Sequence, residues 1–364
     1  MAQNVALVAG ASGVIGSGLV DELSERSDWR TRLLASRPIV GSDAIVVDLQ
    51  DARSAAKAME AASDVTHLFY AAYRAQPDFA AEVAVNGPML ENLLESLKTV
   101  GAPLERVVLY QGAKVYGVHL GPVIAPFYED SVRHIPPNFY YTQEDTLRRR
   151  ADAGEFEWSI LRPDVVIGDI VGNPMNMAMV IGVFAALSQA TGTPFRFPGS
   201  TKVYDGVFAQ VTDARLLGRA SLWSATAEAA RNQAFNYVHE PFRWERVWRQ
   251  IGHGLGLEVA PPMKMKLANQ MADKAPFWSK LVREYGLREI PYDKLVGWGF
   301  GDFIFNTEFD MVSDMGKIRR AGFNETIDNS ASILSAIRRL QDKKVLPPFS
   351  RLSPSSRAER SDPD

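Results

Sequence analysis

The chain has 364 residues, 46% of them hydrophobic and 23% charged, enough apolar matter for a large core at an ordinary charge density. Its 40 basic against 43 acidic residues give a formal charge of −3, which leaves no electrostatic footprint for nucleic acid or an anionic membrane. The absence of cysteine excludes disulfides, thiolate catalysis and zinc–thiolate sites, and the five histidines lack metal-ligand spacing, so no metal is expected.

The first half alternates predicted strands and helices. Val5–Val8 reads as a strand and Val14–Leu23 as a helix. Leu33–Ala35 and Ile45–Val47 are short strands, Ala52–Ala62 is helical, and His67–Tyr70 is a strand. The helix Phe79–Thr99, the strand Val107–Tyr110, the helix Tyr140–Ala153 and the strand Trp158–Leu161 follow. This alternation predicts an α/β fold, a Rossmann-type doubly wound parallel sheet.

From Ala178 on the pattern is mostly helical: Ala178–Ala190, Thr212–Ala229, Trp244–Leu255, Lys266–Ala272, Phe277–Tyr285 and Ile327–Leu340, with one strand at Ala234–Val238. A core over residues 1–168, with later strands from about 203–240, and a mainly helical cap over 169–345 are expected. Residues 346–364, rich in Ser, Pro, Arg and Asp, read as a disordered tail. The N-terminus lacks the features of a signal peptide and no stretch reaches membrane-span length, so a cytoplasmic protein is expected.

The sharpest local signal is Gly10-Ala11-Ser12-Gly13-Val14-Ile15-Gly16, between a strand and a helix. Gly10 permits a tight turn, Gly13 lets backbone N–H groups reach a pyrophosphate, and Gly16 allows close packing. Ser12, Val14 and Ile15 then face the phosphates at the positive helix end. After the second strand stand Ser36 and Arg37, with no carboxylate for a ribose 2′-hydroxyl. A 2′-phosphate suits them, so NADPH is favoured. Asp48 and Leu49 follow the third strand, where Asp48 accepts from an adenine or caps the next helix. Ala71, Ala72 and Tyr73 follow the fourth, near the cofactor ribose.

Tyr140 and Tyr141 are candidate acids, but Glu144 and Asp145 stand four residues later, where short-chain dehydrogenases have a lysine. A carboxylate there raises a tyrosine pKa. Lys114, just past the fifth strand, supplies the missing ammonium. Asn138-Phe139-Tyr140-Tyr141 with Glu144-Asp145 resembles the progesterone 5β-reductase/iridoid synthase-like family of atypical extended short-chain dehydrogenases/reductases. Val65–Tyr70, Arg162-Pro163 with Gly168, Ala234-Phe235-Asn236, Phe242 with Trp244 and Trp248, and Trp298–Asp302 resemble further family segments.

The resemblance implies an NADPH-dependent reductase of the carbon–carbon double bond of enones, with Tyr140 and Lys114 catalytic. It also places Gln111, Tyr140, Pro163, Val165 and Val166 beside the cofactor. Tyr73, Tyr116, Tyr141, Met177, Tyr204 and Phe208 are the expected substrate contacts, around a small apolar enone or carbonyl compound. The chain departs from the family at Ala113, at Asp164-Val165-Val166 and at Tyr73, which bears on pocket shape. Direct 1,2-reduction of an aldehyde or ketone is the alternative, and a catalytically silent NADP-binding regulator the alternative of another class. A nucleotide-sugar epimerase is disfavoured, because Tyr-x-x-x-Lys is missing. Neither nucleic acid nor membrane is an expected partner, and a monomer or homodimer is expected.

Overall fold

In the computed structural model, which describes residues 3–349, seven strands form one all-parallel sheet. They are β1 (Asn4–Ala9), β2 (Trp29–Ala35), β3 (Ile45–Val46), β4 (His67–Tyr70), β5 (Arg106–Tyr110), β6 (Glu157–Arg162) and β7 (Gln233–Asn236). Their spatial order is β7-β6-β5-β4-β1-β2-β3. Ala9 pairs with Leu34 on one side and Tyr70 on the other. The order reverses between β1 and β4, and the crevice at such a switch point is where doubly wound sheets bind ligands.

Helices α1 (Val14–Ser24), α2 (Ala52–Met59), α3 (Phe79–Thr99) and α4 (Phe139–Asp152) connect strands. After them come α5 (Met177–Ala190), α6 (Ala214–Thr226), α7 (Trp244–Gly254), α8 (Leu267–Gln270) and α9 (Ala275–Tyr285). The last are α10 (Tyr292–Leu295), α11 (Trp298–Phe305), α12 (Gly316–Arg320) and α13 (Asn329–Asp342). Period-two alternation loads both faces of the sheet. Leu7, Leu68, Val107 and Ile160 join one apolar cluster with Leu90 and Leu94 of α3. Val8, Phe69, Val108 and Leu161 join another with Leu19 of α1 and Leu217 of α6.

Strand β2 begins at Trp29, earlier than its apolar run suggests. Its polar stretch is tied down because Arg30 and Arg32 both pair with Asp64.

The chain divides into two compact units. The first holds the residues up to Gly168, Ala209–Pro241 and Phe309–Ile327. The last of these segments was expected in the cap. It belongs to the first unit because Phe127 N–H donates to the Val312 carbonyl at 2.7 Å, Asp314 N–H to the Phe127 carbonyl at 2.9 Å, and Lys317 Nζ to the Ala234 carbonyl at 2.9 Å.

The second unit holds Asp169–Phe208, Phe242–Glu308 and the residues from Asp328 on. Its core is aromatic: Phe195 stacks on Trp248 with centroids 4.2 Å apart, and Phe197 and Phe305 pack edge-on at 5.0 Å. Residues 298–302, read as a loop, form the start of α11. Its glycines hide the helix from propensity, yet a Cβ on Gly301 would stand 2.7 Å from Val180. Asp302 accepts from the backbone N–H of Leu267 at 2.5 Å and of Ala268 at 3.0 Å.

The expected disordered tail starts too early, for Leu346 and Phe349 are buried, and Leu346 fills the space beside Gly182. Residues 350–364 lie outside the described residues. No described helix is long and apolar enough to cross a membrane.

Candidate active site

The glycine loop is shaped by close approach. Gly10 has φ +83°, and a Cβ on it would stand 2.7 Å from the Ala71 backbone. On Gly16 a Cβ would meet the Gly10 carbonyl oxygen at 2.3 Å, so this glycine clears the loop itself. Helix–sheet packing was expected of it; a close approach of another kind, helix to helix, is made by Gly18, where a Cβ would stand 2.4 Å from the Ala214 carbonyl oxygen of α6. Gly13 begins α1 with no side-chain cap, which leaves first-turn N–H groups for an anion. Ser12 is exposed; the side chains of Val14 and Ile15 pack inward.

Ser36 and Arg37 are exposed directly after β2, and Arg37 makes no ion pair among the described residues. Asp48 accepts from Gln50 N–H at 3.0 Å and pairs with Arg74 at 3.3 Å. The Gln50 backbone bond foremost, with the Gln50 side chain and Arg74, holds it below the usual carboxyl range. It does not cap α2; Asp51 does, accepting from Arg53 and Ser54 N–H. The Leu49 side chain is core and its carbonyl accepts from Asn92 at 2.8 Å.

Lys114 sits in a single turn, Ala113–Tyr116, after β5, and Tyr140 in the first turn of α4. Their segments are stitched together. Asn138 Oδ1 accepts from Tyr140 N–H at 3.0 Å as the helix cap, while its Nδ2 donates to the Lys114 carbonyl at 2.9 Å. Tyr141 Oη donates to the Val115 carbonyl at 2.8 Å and accepts from His134 N–H at 3.2 Å. Tyr141 is therefore a strut, neither acid nor free ligand contact.

The Tyr140 phenol oxygen lies 3.1 Å from where a Cβ on Gly112 would stand, and the Gly112 backbone favours its ionised form. Its own proton stays available to donate. Burial above all, with the Glu82 and Asp164 charges added, pushes its pKa up to about 12.

Glu82, in the first turn of α3, is the site residue that sequence reasoning missed. Its side chain is 7% exposed, and both carboxylate oxygens lie 3.4 Å from Lys114 Nζ. Tyr73 donates a short hydrogen bond to it, and the Tyr73 ring stacks on Phe139 at 5.3 Å. Asn86, fully buried, pins this corner: its Oδ1 accepts from Arg74 N–H at 2.8 Å and its Nδ2 donates to the Arg74 and Glu82 carbonyls. An acidic residue in a first turn reads simply as dipole complement; its partners become visible only in space.

The second carboxyl acting on Tyr140 is Asp164, pushed up to about 7 by burial and held by Val165 N–H at 3.0 Å. Asp164 N–H donates to Thr212 Oγ1 at 3.2 Å. Next to it Val165 has φ +39°, a conformation that costs a β-branched residue. Pro163 is buried, and Val166 pairs with Thr212 in a two-residue strand.

Glu144 does not act on Tyr140 as the four-residue spacing suggested. Against the upward push of burial, bonds from Gln111 and Arg148 and the Arg162 charge hold it below its usual range. Arg162 is a buried hub: it donates to Gln111 Oε1 at 2.9 Å, to Tyr116 Oη at 3.1 Å and to the Glu129 carbonyl at 3.0 Å, and pairs with Glu144 at 3.5 Å. Gln111 is fully buried and spends its amide on Tyr140 and Glu144, so its side chain is unavailable to a cofactor. Tyr116 is likewise committed, bonded to Asn236 and Arg162.

Three expected substrate contacts lie in the second unit. Met177 exposes no surface and is core rather than wall. Tyr204 is buried against Phe197 at 5.3 Å. Phe208 alone of the three is exposed, with the Arg243 guanidinium 4.8 Å above its ring.

A family model described as a PRISE-like Rossmann-fold domain matches residues 25–347. The chain belongs to this family. A (S)-8-oxocitronellyl enol synthase of Camptotheca acuminata is 31% identical, over 95% of this chain and 94% of that one. A 3-oxo-Delta(4,5)-steroid 5-beta-reductase of Arabidopsis thaliana is 30% identical over the same shares. Among solved structures, a GDP-L-fucose synthetase of Naegleria fowleri bound to NADP superposes with TM-score 0.66 at 14% identity, covering 94% of each chain. That likeness shows the fold alone.

Proposed function

We propose that this chain is an NADPH-dependent reductase of the activated carbon–carbon double bond in small, apolar α,β-unsaturated carbonyl compounds. The observation that carries the reading is the stitched pair, an ammonium 3.4 Å from the Glu82 carboxylate and, on the segment tied to it through Asn138, a phenol held protonated by burial. The named activities of the enol synthase and the 5-beta-reductase support the reaction class.

The glycine loop fits a dinucleotide, since side chains at Gly10 or Gly16 would fill it and α1 carries no side-chain cap. Ser36 and Arg37, without a neighbouring carboxylate, suit a 2′-phosphate, and the NADP named with the fucose synthetase agrees. The cofactor, when bound, supplies hydride. As hydride adds to the β-carbon, negative charge grows on the substrate's carbonyl oxygen, and a proton from solvent at the α-carbon then completes saturation. The Tyr140 phenol donates a hydrogen bond to that oxygen and the Lys114 ammonium supplies charge. With its pKa near 12, the phenol stays protonated at neutral pH and serves as donor, not base.

The test is NADPH oxidation with a panel of enones, with products identified by mass spectrometry. Tyr140→Phe and Lys114→Met each lower turnover by about 10²-fold or more while NADPH still binds. Arg37→Ala weakens NADPH and spares NADH. Full activity in both site variants refutes the assignment; allylic alcohols as products shift it to 1,2-reduction.

A further inference from the structure

Lys114 does not stand alone. Its ammonium lies 3.4 Å from both oxygens of Glu82 and 5.2 Å from the Phe79 ring centroid. Both distances to Glu82 exceed the roughly 2.7–2.9 Å of a tight charge-assisted bond, and the Lys114 side chain is 37% exposed. The pair is loose, and Nζ keeps donors for a ligand. Glu82, by contrast, is fixed: it is buried, it receives the Tyr73 hydroxyl, and its helix is capped by Asp78, which accepts from Ala81 N–H at 2.8 Å. The other charged or titratable groups here are Asp164, whose charge reaches Tyr140, His119, which feels both Lys114 and Glu82, and His134, whose Nε2 lies 3.2 Å from the Lys114 carbonyl oxygen and whose ring packs on His119. The immediate surroundings of the ammonium thus carry no surplus positive charge.

We propose that Glu82 is a specificity-determining and positioning residue: its carboxylate cancels the Lys114 charge, so that the site takes uncharged carbonyl compounds and turns away those that carry a carboxylate. This rests on the reading that Lys114 and Tyr140 hold the substrate oxygen. A carboxylate ligand brings its full charge on binding, where repulsion by the fixed Glu82 charge offsets what the ammonium gives. A neutral carbonyl is not repelled, and the loose ammonium turns to its oxygen only as charge develops there. Glu82 acts through Lys114 and touches no reacting atom.

Two measurements test this. The first is equilibrium binding of benzoate and benzamide, without NADPH, followed by tyrosine fluorescence. Wild type binds benzamide at least as tightly as benzoate. Glu82→Gln, which keeps the shape and the Tyr73 partner, gains about tenfold or more for benzoate relative to benzamide. Adding Lys114→Met to it abolishes the gain, and Glu82→Asp, which keeps the charge, shows none.

The second is steady-state reduction of a cyclic enone and of the same enone bearing a carboxylate. Glu82→Gln raises relative kcat/KM for the charged substrate, chiefly through KM. A wild type that prefers benzoate, or a Glu82→Gln variant with an unchanged ratio, overturns the proposal whether or not any enone is turned over. Turnover of no enone by any variant, with the binding ratios as expected, overturns the functional reading and leaves the role of Glu82 standing.

Discussion

The loop after β5 and the aromatic core of the second unit are held by different physics. Around the loop, Asn138, Tyr141, Gln111 and Arg162 fix neighbours through directional hydrogen bonds. In the second unit Phe195, Phe197, Trp244, Trp248 and Phe305 hold one another by contact of ring faces and edges. Directional bonds set the position of individual atoms and fail when one atom is lost. Packed rings tolerate the loss of a polar atom and fail by volume. Chemistry that needs a phenol and an ammonium in register belongs with the first kind.

The largest expected effect breaks the packed side. Trp248 is fully buried and stacked on Phe195, so Trp248→Ala costs about 3–5 kcal/mol, read by urea denaturation. Trp248→Phe recovers most of that. A loss under about 1 kcal/mol for the alanine variant would mean that these rings are not a close-packed core.

Next comes the bonded side. Asn138→Ala removes a helix cap, worth about 0.5–2 kcal/mol, together with the tie to the Lys114 carbonyl. Turnover is expected to drop by about tenfold or more, beyond what the melting shift explains. Asn138→Asp sharpens the contrast, because it keeps the cap acceptor and loses the Nδ2 donor. Stability near wild type with turnover still low is the expected pair of results.

The smallest effect concerns charge. Burial lifts Asp164 to about 7, whereas in an unfolded chain an aspartate releases its proton near 4. Its stability contribution is therefore complete below about pH 4 and is lost as pH rises through 7. Asp164→Asn should melt a few degrees above wild type at pH 8 and level with it at pH 4, in thermal scans at the two pH values. Equal shifts at both pH values would remove Asp164 from the titrating groups.

Much of the fold was legible in the chain order of apolar runs, because parallel strands buried on both faces must be continuous and hydrophobic. Gly10 to Gly16 announced the first loop. The α11 helix was not legible, since Gly299 and Gly301 mask it; close contact with Val180 and Leu267 explains Gly301, and nothing in the structure explains Gly299. Nor were the partners of the ionisable groups. Glu144 looked like the carboxylate opposed to Tyr140, and Glu82 looked like nothing in particular; their roles depend on Arg162, which comes from β6, and Lys114, which comes from the turn after β5. Spacing along a helix says which residues share a face, not what the neighbouring elements bring to it.

The Arg162 guanidinium joins β6 to β5 through Gln111, to α4 through Glu144, and to Tyr116 and the Glu129 backbone. One planar cation thereby sets the mutual distances of four separate segments, and a lysine, with a single point of charge, has no geometry for that task. Such a joint is a constraint on divergence. Descendants of this chain that acquire new substrates must each inherit this knot unchanged.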